Sequence, residues 1–124
     1  MGKRILVVDD DEGSARSLAE FFERRGDLLD VTGEAAEAEA LLESAPYQIV
    51  VADVRLSGTD GNFGDVVACA KRTSARTRVI MLGDESAAQQ QSAAWRKKVD
   101  AFLCKPISLL ALEAIVDHFF RHAS

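Results

Sequence analysis

The chain has 124 residues, 48% of them apolar and 28% charged, with a formal net charge of −5. That length predicts a single domain over 1–124, with a core large enough to stand without disulfide or metal staples. The acidic balance excludes a protein held on nucleic acid by general backbone attraction, and the apolar content excludes a disordered chain.

Met1-Gly2-Lys3-Arg4 runs straight into the short apolar segment Ile5 to Val8. This is far shorter than a signal-peptide core or a membrane span, so a cytoplasmic location and no membrane contact are expected. Cys69 and Cys104 lie apart in apolar stretches with no histidine at ligand spacing, which predicts two buried free thiols.

In chain order, the apolar runs Ile5 to Val8, Ile49 to Ala52, Val79 to Leu82 and Ala101 to Cys104 predict strands buried on both faces. Asp27 to Thr32 is less apolar and predicts an edge strand second in order. Helical stripes lie between them: Ala15, Leu18, Ala19 and Phe22; then Ala38, Leu41, Leu42 and Ala45; finally Leu109, Leu112, Val116 and Phe119. Asn62 to Thr73 and Glu85 to Lys97 complete five helices, although Gly64 weakens the first and Gln89-Gln90-Gln91 thins the apolar face of the second. Strict alternation of this kind predicts a doubly wound α/β fold, a five-stranded parallel sheet covered on both faces. In such sheets ligands bind beyond the carboxyl ends of the strands.

The residues after each run are Asp9-Asp10-Asp11, Asp53, Gly83-Asp84-Glu85 and Lys105-Pro106. Ionised carboxylates gathered on one rim repel unless a cation lies between them or their pKa values rise. Two or three aspartates from different strands suit Mg2+, which takes a few carboxylate oxygens together with water and phosphate oxygens. Lys105 is a compact cation able to pair with Asp53 or with phosphoryl oxygens on it. Asp53, the lone carboxylate ending the central strand, is the candidate nucleophile for an acyl phosphate, a step that needs charge neutralisation more than a strong base.

Ile5-Leu6-Val7-Val8-Asp9-Asp10-Asp11, Ile49-Val50-Val51-Ala52-Asp53-Val54, Gly58-Thr59-Asp60-Gly61 and Lys105-Pro106 together resemble the response-regulator receiver family, a CheY-like (βα)5 sandwich of two-component signalling. The resemblance implies that Asp53 is the phosphoacceptor and that Asp9, Asp10, Asp53 and the backbone carbonyl of Arg55 hold Mg2+. It implies that Lys105 contacts the phosphoryl group and that the bond before Pro106 is cis. It also implies that Phe102 is an aromatic switch and that Arg55 and Glu85 flank the attacking water; a salt bridge between these two is expected. The implied partners are a sensor histidine kinase or phosphotransfer protein upstream. Downstream stands an output domain or partner protein on the face of the fourth helix, fifth strand and fifth helix, or a second copy in a homodimer. No direct nucleic-acid contact is expected. Such a module is not an enzyme acting on other molecules; it catalyses its own phosphorylation and dephosphorylation.

The sequence departs from the family pattern at Gly83, where a Ser or Thr would donate to a phosphoryl oxygen, and at Ser57, often proline. Gly83 leaves open a degenerate receiver that acts as a constitutive interaction module. A haloacid-dehalogenase-like phosphatase would want a second aspartate where Arg55 stands. A flavodoxin-like nucleotide carrier would not open its first loop with Asp9-Asp10-Asp11-Glu12, which repels phosphate in the absence of metal.

Overall fold

An apolar run such as Ile5 to Val8 cannot leave its backbone N–H and C=O groups unpaired once its side chains are buried, so it must lie between two other strands. The computed structural model, which describes residues 3–55, 62–84 and 97–121, shows how that is met. Strands β1 (Arg4–Val8), β2 (Leu28–Thr32), β3 (Ile49–Asp53), β4 (Arg78–Gly83) and β5 (Ala101–Cys104) form one sheet in the order β2-β1-β3-β4-β5, with every neighbouring pair parallel. The described helices are α1 (Glu12–Arg24), α2 (Ala35–Ser44), α3 (Phe63–Thr73) and α4 (Leu109–Arg121). The expected helix Glu85 to Lys97 falls almost wholly outside the described residues.

Alternation along the strands divides the core in two. Leu6, Val8, Val50, Ala52, Val79 and Met81 face α2 and α3, where Ala38, Leu42, Phe63, Val66 and Ala70 meet them. Ile5, Val7, Ile49, Val51, Ile80 and Leu82 face the opposite way, against Leu18 and Phe22 of α1 and Leu112, Val116 and Phe119 of α4. Each large aliphatic or aromatic side chain so buried contributes about 1.5–3 kcal/mol before entropy is counted. Covered on both sides, β3 is buried at all five positions.

The edges behave differently. β2 leaves Leu28 and Val31 exposed, in keeping with the edge position its weaker pattern predicts. β5 is the other edge, and its apolar run misleads: Ala101 and Phe102 are half-buried, and only Leu103 is fully buried. The expectation of two buried thiols therefore holds for Cys69 and fails for Cys104, which is exposed. With one neighbour instead of two, the last residue of β5 lacks the cover that a central strand receives.

α3 begins one residue later than predicted, because Asn62 is its cap. The Asn62 side chain accepts from Asp65 N at 3.1 Å, while the Asp65 carboxylate accepts from Asn62 N at 3.2 Å. This reciprocal pair satisfies donors at the first turn and offsets the cost of Gly64.

α1 carries the chain from β1 outward to β2 on one face, whereas α3 carries it from β3 outward to β4 on the other. The connections leaving β1 and β3 thus diverge, which opens a crevice at the carboxyl ends of those strands.

Candidate functional site

Val8 is in register with Ala52, so the next residues, Asp9 and Asp53, emerge side by side at the mouth of that crevice. Both are nearly buried, at 3% and 6% exposure. Asp9 N donates to Thr32 O at 2.9 Å, which fixes the turn out of β1, and Asp9 Oδ1 accepts from Asp11 N at 3.0 Å. Asp9 Oδ2 is buried with no hydrogen-bond donor; the Lys105 ammonium lies 3.3 Å from it. Burial raises the Asp9 carboxyl above the ordinary range, against the lowering pull of the Asp11 N–H and of Lys105.

Asp53 Oδ1 accepts from Arg55 N at 2.8 Å, and Oδ2 accepts from Lys105 Nζ at 2.6 Å. Lys105 is brought there by β5, whose pairing with β4 continues as Lys105 N donates to Gly83 O at 2.8 Å; the Lys105-Pro106 bond is cis. Burial pulls the ammonium pKa down, but its hydrogen bond and attraction to Asp53, reinforced by Asp9, leave it raised and the group firmly charged. Asp11 lies 3.8 Å from the same ammonium, and the Ser14 hydroxyl donates to it at 2.6 Å, which holds this carboxyl below the ordinary range.

Asp10 is exposed at the rim, yet one carboxylate oxygen from each of Asp9, Asp10 and Asp53 lies within 4.8 Å of the others. Two buried carboxylates, Asp9 and Asp53, share the single charge of Lys105, and the orphaned Asp9 Oδ2 leaves a buried acceptor unused. A hard divalent cation would answer both, and the all-oxygen donor set of Asp9, Asp10 and Asp53 fits Mg2+ or a similar ion.

The remaining predicted residues are distributed as follows. The Arg55 guanidinium pairs with Asp84 at 2.9 Å; Glu85, its expected partner, lies outside the described residues. Gly83 is buried in register with Cys104 and presents no side chain to the crevice. Phe102 pairs with Met81 and packs, half-buried, against the α2/α3 side of the core.

Gly33 escaped sequence reasoning. A Cβ built there would stand 3.3 Å from Asp10 Cα and 3.4 Å from its Cβ. Glycine therefore lets the turn after β2 lie against the backbone that carries Asp10. The one available signal was a glycine directly after a strand, a common turn marker. At the amino ends of the strands, a cleft of about 580 Å³ is lined by Lys3, Tyr47, Arg76, Arg78, Phe119 and Phe120. It offers cations and rings but no carboxylate, so its size does not make it the metal site.

A family model described as the response regulator receiver domain matches residues 5–117. This chain belongs to the response-regulator receiver family. The receiver is 33% identical over 104 residues to the photosynthetic apparatus regulatory protein RegA of Cereibacter sphaeroides, covering 84% of this chain and 55% of RegA. It is 33% identical over 108 residues to the transcriptional regulatory protein TcrA of Mycobacterium tuberculosis, covering 87% of this chain and 42% of TcrA. The chain thus spans about half the length of the curated relatives it matches. Among solved structures, a two-component response regulator from Clostridium difficile superposes with a TM-score of 0.84 at 23% identity, covering 97% of both chains. The receiver domain of the sensor histidine kinase PA1611 from Pseudomonas aeruginosa, which has a magnesium ion coordinated in its active site cleft, gives 0.83 at 18% identity, covering 98% of this chain and 99% of that one. These likenesses bear out the doubly wound parallel fold. No helix among the described residues is long and apolar enough to cross a membrane.

Proposed function

We propose that the chain is a single receiver domain that accepts a phosphoryl group on Asp53 and passes the change to an output domain or partner protein. The observation that carries this reading is the convergence of Asp9, Asp10 and Asp53 within 4.8 Å, with Lys105 Nζ 2.6 Å from Asp53 Oδ2. Asp9, Asp10, Asp53 and the backbone carbonyl of Arg55 are the residues that would hold Mg2+. When bound, the ion neutralises charge on the phosphoryl oxygens.

A carboxylate oxygen of Asp53 attacks the phosphorus of the donor, and the donor's bond to phosphorus breaks with the electron pair leaving on the donor. The product is an aspartyl phosphate. Arg55 N orients the carboxylate by holding Oδ1, and Lys105, already charged beside Oδ2, is placed to accompany the new negative charge. No base is required, because the nucleophile is an ionised carboxylate. Water attack on phosphorus later returns Asp53 and inorganic phosphate.

The donor class is a phosphohistidine on a histidine kinase or phosphotransfer protein, by analogy with the family, and the setting is the cytoplasm. The partner surface includes β5 and α4, which supply the half-exposed Phe102 and the exposed Leu109 and Leu110; a second copy of the chain is one occupant. A second reading, a receiver that docks partners constitutively, is favoured by Gly83, which supplies no hydroxyl at the end of β4.

Incubation with a small phosphodonor and Mg2+, followed by intact mass measurement, tests the first reading. An acid-labile adduct is expected on the wild type and not on Asp53→Asn. A wild type that acquires none, with or without Mg2+, supports the second reading.

A further inference from the structure

We infer that Arg55 is a phosphoryl-binding residue whose guanidinium exchanges Asp84 for the phosphoryl oxygens once Asp53 is modified. This rests on the reading of Asp53 as the acceptor.

Asp53 is in register with Leu82, so the wall on its β4 side is completed by Gly83, which has no side chain to donate from. The described donors reaching the Asp53 carboxylate are Lys105 Nζ at 2.6 Å and Arg55 N at 2.8 Å. A phosphoryl group brings three acceptor oxygens that carry close to two negative charges near neutral pH, a net gain of about one because the carboxylate charge is consumed in the new bond. It arrives at a rim where Lys105 is already shared between Asp53 and Asp9.

A second cation is tethered two residues from the acceptor. The backbone of Arg55 is pinned to Asp53 Oδ1, while its guanidinium rests 2.9 Å from Asp84, with the two side chains 64% and 42% exposed. An ion pair this open to water is held weakly. A phosphoryl dianion presents more charge than the Asp84 carboxylate and matches the planar guanidinium fork at least as well, so it wins the competition. Asp84 directly follows Gly83, so the exchange also changes the pairing of the residue just past the end of β4.

The test is a double-mutant cycle on the full chain in Mg2+, with beryllofluoride as the phosphoryl stand-in and its affinity measured by calorimetry; both side chains are exposed, and circular dichroism verifies the fold of each variant. Arg55→Ala should weaken binding about tenfold, the loss of one charge-assisted hydrogen bond. Asp84→Asn should tighten it several-fold, and that gain should vanish in the double variant, because the gain comes from freeing Arg55. Unchanged affinity in Arg55→Ala overturns the inference. So does a gain from Asp84→Asn that persists without Arg55, since Asp84 then acts by its charge alone. In both cases an acid-labile adduct on wild type keeps the acceptor reading intact; its absence removes both.

Discussion

Lys105 Nζ stands 2.6 Å from Asp53 Oδ2 and 3.3 Å from Asp9 Oδ2, so one ammonium offsets the repulsion between two buried carboxylates from adjacent strands. It fills part of the role that a bound divalent cation would fill more completely. Lys105→Ala should therefore bind Mg2+ more tightly in calorimetry, because a competing cation is gone. The same variant should form the phosphoryl adduct at least tenfold more slowly, having lost a charge-assisted contact to the new oxygens. A fall in both quantities would contradict this division of labour.

Asp9 holds a buried oxygen without a donor, and burial raises its pKa. Asp9→Asn removes the charge that burial penalises and should stabilise the metal-free protein by about 1 kcal/mol. Added Mg2+ should raise the stability of the wild type, and raise that of Asp9→Asn less. Thermal unfolding in EDTA and in Mg2+ reads both effects, which have opposite signs.

Tyr47, the single tyrosine, is buried and donates to Asp30 Oδ2 at 2.6 Å. Burial first, then Asp30, pushes its pKa from 10.0 up to about 12. A folded pKa above the unfolded one means that the folded state holds the proton more tightly. The contribution is thus fully present below pH 10 and lost as pH rises towards 12. Phenolate absorbance should titrate near 12 in the native protein and near 10 in denaturant, and Tyr47→Phe should flatten the stability slope between those values.

Gly33 lies against the Asp10 backbone, and Gly33→Ala would bring a methyl group 3.3 Å from Asp10 Cα. Backbone yields less readily than a flexible side chain, so a cost of about 1 kcal/mol and a several-fold weaker Mg2+ affinity are expected. Equal affinity in the two proteins would show that the turn relaxes without moving Asp10.

Asn62 caps α3 reciprocally with Asp65. Asn62→Ala should cost about 1 kcal/mol in denaturant unfolding, and Asn62→Asp, which keeps the acceptor, much less. Similar losses in both would deny the cap its role.

Much of the fold was legible because burial on two faces demands continuous apolar runs and burial on one face demands a helical stripe. β1, β3 and β4 announce themselves in this way, and so does the weaker edge strand β2. The failures share one physical origin, since hydropathy records what a residue is and not how many neighbours cover it. Cys104 sits in a run as apolar as a central strand's, but β5 is an edge, and the thiol meets water. Arg55 pairs with Asp84 among the described residues, a contact that hydropathy along the chain does not reveal.

By itself the sequence determined the alternation of strands and helices, the parallel sheet that follows from it, and which acidic and basic residues stand at the strand ends. Only the tertiary structure decided that β1 lies between β2 and β3, that Val8 faces Ala52, and hence that Asp9 and Asp53 share one ammonium. The reason is that strand order and register come from packing between segments far apart in the chain, whereas periodicity reports only the environment of each segment along its own length.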